Sequence, residues 1–178
     1  MKKKIKDNRN NATASPLLQG LPPFIPASPR VLILGSMPSV QSLAQDFYYA
    51  HPQNRFFKLL SLFTGKELCD VKARKEALGS CNLALFDVIR SCRRCGSADA
   101  NIHDVEINDI NSILEQNVSI ELVVTNGTLA KKLFLKHFNE LNVKTLHLPS
   151  TSPANARFSL ESLKGYYFEV FEFAVRGS

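Results

Sequence analysis

Four short, largely apolar runs separated by helix-patterned segments confine this chain to a narrow set of architectures. Val31–Leu34 is apolar at every position and ends at Gly35, and similar runs recur at Asn82–Val88, Leu122–Thr125 and Lys144–Leu148. Successive side chains of a strand point to opposite faces, so a strand apolar throughout has both faces covered, as in a parallel sheet between helices. The intervening segments repeat apolar residues at the spacing of one helical face. They are Phe56, Phe57, Leu59, Leu60 and Phe63; Val71 to Leu78; Ile110 to Leu114; Leu129, Leu133, Phe134 and Phe138 after Gly127; and Leu160 to about Val175. Strand and helix alternate four times, which predicts an α/β fold: a three-layer α/β/α sandwich around a four-stranded, mostly parallel sheet. At 178 residues there is room for one such domain. It is expected to span residues 30–178, preceded by a disordered basic arm (1–15) and a Pro-rich extended segment (16–29) with five prolines, laid on the domain surface.

Sheets of this kind bind ligands beyond the carboxyl ends of their strands. Three polar segments satisfy that condition: Gly35 to Ser39, Asp87 to Asp99, and Pro149 to Ala156. Asn126 and Gly127 close the remaining strand.

Charge and cysteine content add less than they first suggest. The formal net charge is +6, but five of the 22 basic and one of the 16 acidic side chains fall within residues 1–10. The body is therefore nearly neutral, and the arm could contact phosphates without reading sequence. No apolar run is long enough to span a bilayer, and the basic start leads into polar residues instead of a signal core. The expectation is a cytoplasmic protein of bacterial type, outside any membrane, with its substrate in the nucleoid. Cys92 and Cys95 form a single C-x-x-C, while Cys69 and Cys81 lack the spacing of a second metal-binding pair. Free thiols and no metal are expected. Walker and G-x-G-x-x-G patterns are absent, which counts against an enzyme of free nucleosides or phosphoesters.

The post-strand segments carry a resemblance. Gly35-Ser-Met-Pro-Ser39, followed by Tyr48-Tyr-Ala-His-Pro-Gln-Asn54-Arg-Phe-Phe57, resembles the first motif of the uracil-DNA glycosylase superfamily, most closely its hypoxanthine-DNA glycosylase branch. Ile102 to Asp109 and Leu148-Pro-Ser-Thr-Ser-Pro-Ala-Asn-Ala156 are similar to the same branch, and the likeness covers residues about 19 to 174. It implies a monofunctional DNA glycosylase that extrudes a deaminated base, hypoxanthine or uracil, and hydrolyses its N-glycosidic bond. The implied partner is DNA containing such a base. A monomer without cofactor is expected.

Residue roles follow from that resemblance. Many members of the superfamily place an acidic or amide side chain where this chain has Met37, and a thioether can neither orient water nor act as a base. The branch assigns that work to the Asn of the His-Pro-x-Asn segment, so Asn54 is the expected catalytic residue; alternatively it caps the helix that follows. Tyr49 is expected to stack on the extruded base, with Tyr48 as the competing ring and a core tyrosine as the plainer reading. Asp87 is expected to read the base edge, or else to cap a helix or pair with Arg90, Arg93 or Arg94. Asn126 and Ser36 join the base-binding set, with Asn126 alternatively capping a helix. Ser39, His51, Arg94, Ser150, Thr151, Ser152, Pro153 and Asn155 form the expected DNA-binding set, although His51 also suits a loop anchor and residues 149–156 a plain turn. The second loop lacks the bulky apolar wedge of relatives. A rival reading is a glycosylase-like DNA-binding protein that has lost its chemistry.

Overall fold

Two sheets, instead of the one expected, organise residues 15–176, the span that the computed structural model describes. The basic arm expected over residues 1–15 lies almost wholly outside the described residues. In chain order the strands are β1 (Leu17–Gln19), β2 (Val31–Gly35), β3 (Leu83–Asp87), β4 (Ile89–Arg93), β5 (His103–Ile107), β6 (Leu122–Asn126) and β7 (Lys144–Leu148). The helices are α1 (Val40–Ala44), α2 (Phe56–Thr64), α3 (Val71–Ser80), α4 (Ile110–Gln116), α5 (Thr128–His137) and α6 (Leu160–Val175), with a 3₁₀ turn at Asp99–Asn101.

The main sheet has the order β3-β2-β6-β7 and is parallel throughout. Every residue of β2, β3 and β6 is buried, which requires helices over both faces, and the α/β sandwich of the sequence reading is the fold observed. β7 forms an edge: Lys144, Thr145 and Leu146 are exposed. The strand order reverses at β2, with β3 on one side and β6 on the other, so a crevice opens at the carboxyl ends of these strands.

The second sheet, β1-β4-β5, is antiparallel. It corrects the reading of residues 87–99 as a polar segment, because Ile89, Ser91 and Cys92 are buried in β4. The Pro-rich segment serves both sheets. Its Leu17–Gln19 pairs with β4, and Phe24 exchanges two backbone hydrogen bonds of 2.9 Å with Leu85. The outer edge of β3 is thereby covered, which removes an open row of backbone donors and acceptors.

α2 and α6 pack together through aromatic edges. Phe56 meets Tyr167 and Phe171 with ring centroids 6.3 and 6.1 Å apart, and Phe63 meets Phe168 and Phe171 at 5.4 Å each. These T-shaped contacts add to area burial and fix where α2 begins, and so where the loop before it lies. Among the described residues no helix is long and apolar enough to cross a membrane.

Candidate active site

A cleft of about 1010 Å³ lies at the carboxyl ends of β2, β3, β6 and β7. It is larger than one planar base requires and can take a nucleotide with its flanking backbone. All three post-strand segments singled out in the sequence contribute to its wall, together with Tyr49, Asn54 and Asn126.

Its buried carboxylate is Asp87. This residue ends β3, is 3% exposed, and pairs in register with Gly35 at the end of β2. A β-carbon at position 35 would overlap Asp87 Oδ1, so glycine is what lets the carboxylate lie against the neighbouring strand. Asp87 Oδ2 is buried without a hydrogen-bond partner. Lost hydration pushes its carboxyl up to about 7, against the pull of Arg94 and with a further push from Asp99. No ion pair with Arg90, Arg93 or Arg94 forms among the described residues.

Tyr49 stands beside it. Its ring stacks on Phe56 with centroids 4.5 Å apart, and its backbone adopts φ 52°, a left-handed conformation uncommon for a side chain of this size. The hydroxyl is buried and also unpartnered. Burial raises the phenol well above its usual range, with Asp87 adding to the rise and the nearby Asn126 side chain opposing it. Tyr48, the competing ring, instead donates its hydroxyl to the carbonyls of Leu21 and Pro22, at 3.2 and 2.9 Å. It belongs to the core.

Asn54 lines the cleft directly before α2. Its Oδ1 accepts a 2.9 Å hydrogen bond from Phe56 N, the first N–H of α2, from the position before the N-cap Arg55, and its amide nitrogen remains for other work. His51 is held locally: Nδ1 accepts from Gln53 N at 3.1 Å, and its carbonyl accepts from Asn54 N at 2.8 Å.

Arg55, which the sequence reading passed over, organises the opposite wall. Its Nε donates to Thr151 O at 3.1 Å and its Nη2 to Ser150 O and Asn155 O at 3.3 and 3.1 Å. Ser152 O and Phe158 O complete the set. One guanidinium thus gathers five carbonyls of the loop after β7. The other tie comes from Asn126, whose Oδ1 accepts from Thr151 N and whose Nδ2 donates to Thr151 Oγ1, both at 3.0 Å. Asn126 therefore does not cap α5, whose N-cap is Gly127. A β-carbon on Gly127 would come within 3.0 Å of Ser150 Cβ, so the loop sits close against the end of β6. Pro153 and Ala154 form its exposed apex, while Ser150, Ser152 and Asn155 are partly buried.

Two of the expected DNA contacts need correction on burial. Arg94 is 1% exposed and donates to Pro38 O beneath the Gly35–Ser39 turn, so its guanidinium does not face solvent or a phosphate. Thr151 is fully buried, and its hydroxyl is taken by Asn126. Ser39 lines the cleft but spends its hydroxyl as the cap of α1, accepting from Ser42 N at 3.1 Å. Ser36 donates to Asp99 Oδ1 at 3.0 Å, and Asp99 is a second carboxylate in the cleft that the sequence reading did not single out. Met37 packs with Ile89 and Cys92. Among the described residues no group of three or more His, Cys, Asp or Glu side chains is placed to hold a metal ion.

Comparison with known proteins agrees with this fold. Over 156 residues the chain is 35% identical to a hypoxanthine DNA glycosylase of Methanosarcina barkeri, covering 86% of this chain and 98% of the relative. A hypoxanthine DNA glycosylase of Methanosarcina acetivorans is 34% identical over 143 residues, covering 79% and 90%. The solution structure of a Methanosarcina acetivorans protein described as a candidate uracil DNA glycosylase superposes with a TM-score of 0.77 at 30% identity, over 89% of this chain and 98% of that one. The model of the uracil DNA glycosylase superfamily matches residues 22–171, and the chain belongs to that superfamily.

Proposed function

We propose that this protein is a monofunctional DNA glycosylase that hydrolyses the N-glycosidic bond of an extruded deaminated base, hypoxanthine first and uracil second, leaving an abasic site. The observation that carries this reading is the pair of unpartnered buried oxygens, Asp87 Oδ2 and Tyr49 Oη, within one cleft. Buried polar groups are costly without partners, so two left open together suit a ligand that supplies both. Above about pH 7, where Asp87 is ionised, its carboxylate accepts only, and a phenol donates. Together they match an N–H next to a C=O, which is the N1–H and O6 edge of hypoxanthine and the N3–H and O4 edge of uracil. Adenine and cytosine present an acceptor nitrogen next to an amino group, the reverse order. Deamination thus converts a mismatched edge into a matched one. Guanine and thymine keep the matched pair but add an amino or methyl group, so their exclusion falls to the shape of the cleft.

Bond cleavage leaves positive charge on the sugar and carries the bond's electron pair away with the base. Asn54, with its amide nitrogen free, holds the attacking water, and Tyr49, expected from the sequence to stack on the base, instead meets its edge through the buried hydroxyl. Ser150, Ser152 and Asn155, together with the backbone of the loop that Arg55 gathers, meet the flanking phosphates. The protein works on DNA as a monomer.

The test is a panel of duplexes and single strands each bearing one hypoxanthine, uracil, adenine or guanine at a fixed site, followed by alkali. Scission at hypoxanthine and weaker scission at uracil are expected. An absence of scission on every lesion would leave the rival, a DNA-binding protein without chemistry.

A further inference from the structure

We infer that Asp99 is a second catalytic side chain of this cleft, whose carboxylate faces the sugar of the extruded nucleotide and takes the proton of the attacking water. The inference rests on the glycosylase reading above and extends it to a residue that no motif identified.

Asp99 opens the 3₁₀ turn between β4 and β5, and that segment is pinned to the turn after β2 at two points. Ser36 Oγ donates to Asp99 Oδ1 at 3.0 Å, and Ser97 Oγ accepts from Val40 N at 3.0 Å. Ser36 belongs to the turn after β2 that lines the cleft, so Asp99 is fixed to the cleft wall instead of drifting with its loop. The neighbouring Met37 side chain is turned into a small apolar cluster with Ile89 and Cys92. No carboxylate or amide therefore comes from position 37, and Asp99 reaches the same turn from a different strand connection.

Among the described residues Asp87 and Asp99 are the two carboxylates that line the cleft, and their surroundings differ. Asp87 is sealed, with one oxygen unpartnered, whereas Asp99 is open to solvent and carries a hydroxyl donor. Lost hydration raises the Asp99 carboxyl as well, but the Ser36 hydrogen bond and the Arg94 charge oppose the rise. Two acids in unlike environments divide labour: the buried one reads the base, and the open one faces the sugar. Asn54 can orient water, but an amide cannot accept its proton at neutral pH. In the proposed step the water oxygen bonds to C1′ as the C1′–N bond breaks. The bond's electron pair leaves with the base, which takes a proton from solvent, and the water proton passes to Asp99 and then to solvent.

The test uses the full chain carrying Asp99→Asn, and Asp99→Ala with and without added formate. Single-turnover excision of hypoxanthine is measured beside affinity for a duplex bearing a cleavage-resistant 2′-fluoro-deoxyinosine. Asp99→Asn is expected to slow excision by about 100-fold with affinity within about threefold of wild type, and formate is expected to restore part of the rate to Asp99→Ala. A loss of excision below about tenfold, or a parallel loss of excision and affinity without rescue, overturns the role of Asp99. An inactive wild-type protein would instead overturn the glycosylase reading, so the two failures are distinguishable. Since Asp99 is exposed, thermal melting is expected to be unchanged, and formate rescue reports on chemistry even if the asparagine variant folds poorly.

Discussion

Gly35 and Asp87 occupy paired positions at the ends of adjacent parallel strands, so close that residue 35 has no room for a side chain. That contact sets the depth at which the buried carboxylate meets a base. Gly35→Ala is expected to displace Asp87, costing about 1–3 kcal/mol of stability through overpacking while abolishing excision. Urea unfolding and single-turnover excision measured on the same preparation check it. Unchanged excision would mean that Asp87 is not fixed by this contact.

Asp87 gives a pH dependence with a definite sign. Its carboxyl is at about 7 in the folded protein against an ordinary 3.8, so the folded state holds a proton that the unfolded state has released across that interval. Stability therefore falls as pH rises from about 4 to about 7, because the folded state binds more protons there. Asp87→Asn removes this loss. The variant is expected to match wild type near pH 4 and to be on the order of 1–3 kcal/mol more stable at pH 8, while losing hypoxanthine excision. Melting temperatures of both proteins across that range would show it, and a constant gap would contradict it.

Arg55 concentrates the organisation of the loop after β7 in one guanidinium. Arg55→Ala is expected to cost about 3 kcal/mol or more, since it strips donors from several partly buried carbonyls. Arg55→Lys, with a point charge in place of a planar fork, is expected to recover less than half of that. Thermal melting gives the first result, and weaker binding to an abasic duplex gives the second.

Lys131 lines the cleft, so the absence of covalent lyase chemistry can be tested directly. Borohydride added during the reaction is expected to trap no protein–DNA adduct, because Lys131 is exposed to solvent, whereas lysines that form Schiff bases are desolvated in an apolar pocket. A trapped adduct lost in Lys131→Ala would make the enzyme bifunctional.

Much of this was legible before any coordinates. The strands β2, β3 and β6 and the range of α6 follow from apolar runs and helical spacing, because burial on both faces leaves an unambiguous pattern, while the exposed edge strand β7 is read from its place in the alternation. β4 was not legible: its Ile-Arg-Ser-Cys-Arg run mixes charged and small polar residues, and its pairing with Leu17–Gln19 depends on a segment more than seventy residues away. Arg94 misled because arginine is rarely buried, and only the overlying Gly35–Ser39 turn makes it so here. The cleft's loops were readable from their place after strands. Arg55 and Asp99 were not, because their partners lie about a hundred and about sixty residues away in sequence.

The most direct measurement is the separation of chemistry from binding at Asn54. Asn54→Ala removes the amide together with its cap on Phe56 N, a stability cost of about 1 kcal/mol, while Asn54→Asp keeps an acceptor for the cap. Single-turnover excision of hypoxanthine is expected to fall by about 100-fold or more in Asn54→Ala, with affinity for cleavage-resistant duplex within about threefold of wild type. Equal losses of excision and affinity, or an alanine variant that still cuts at the wild-type rate, would contradict the assignment of Asn54 to the attacking water.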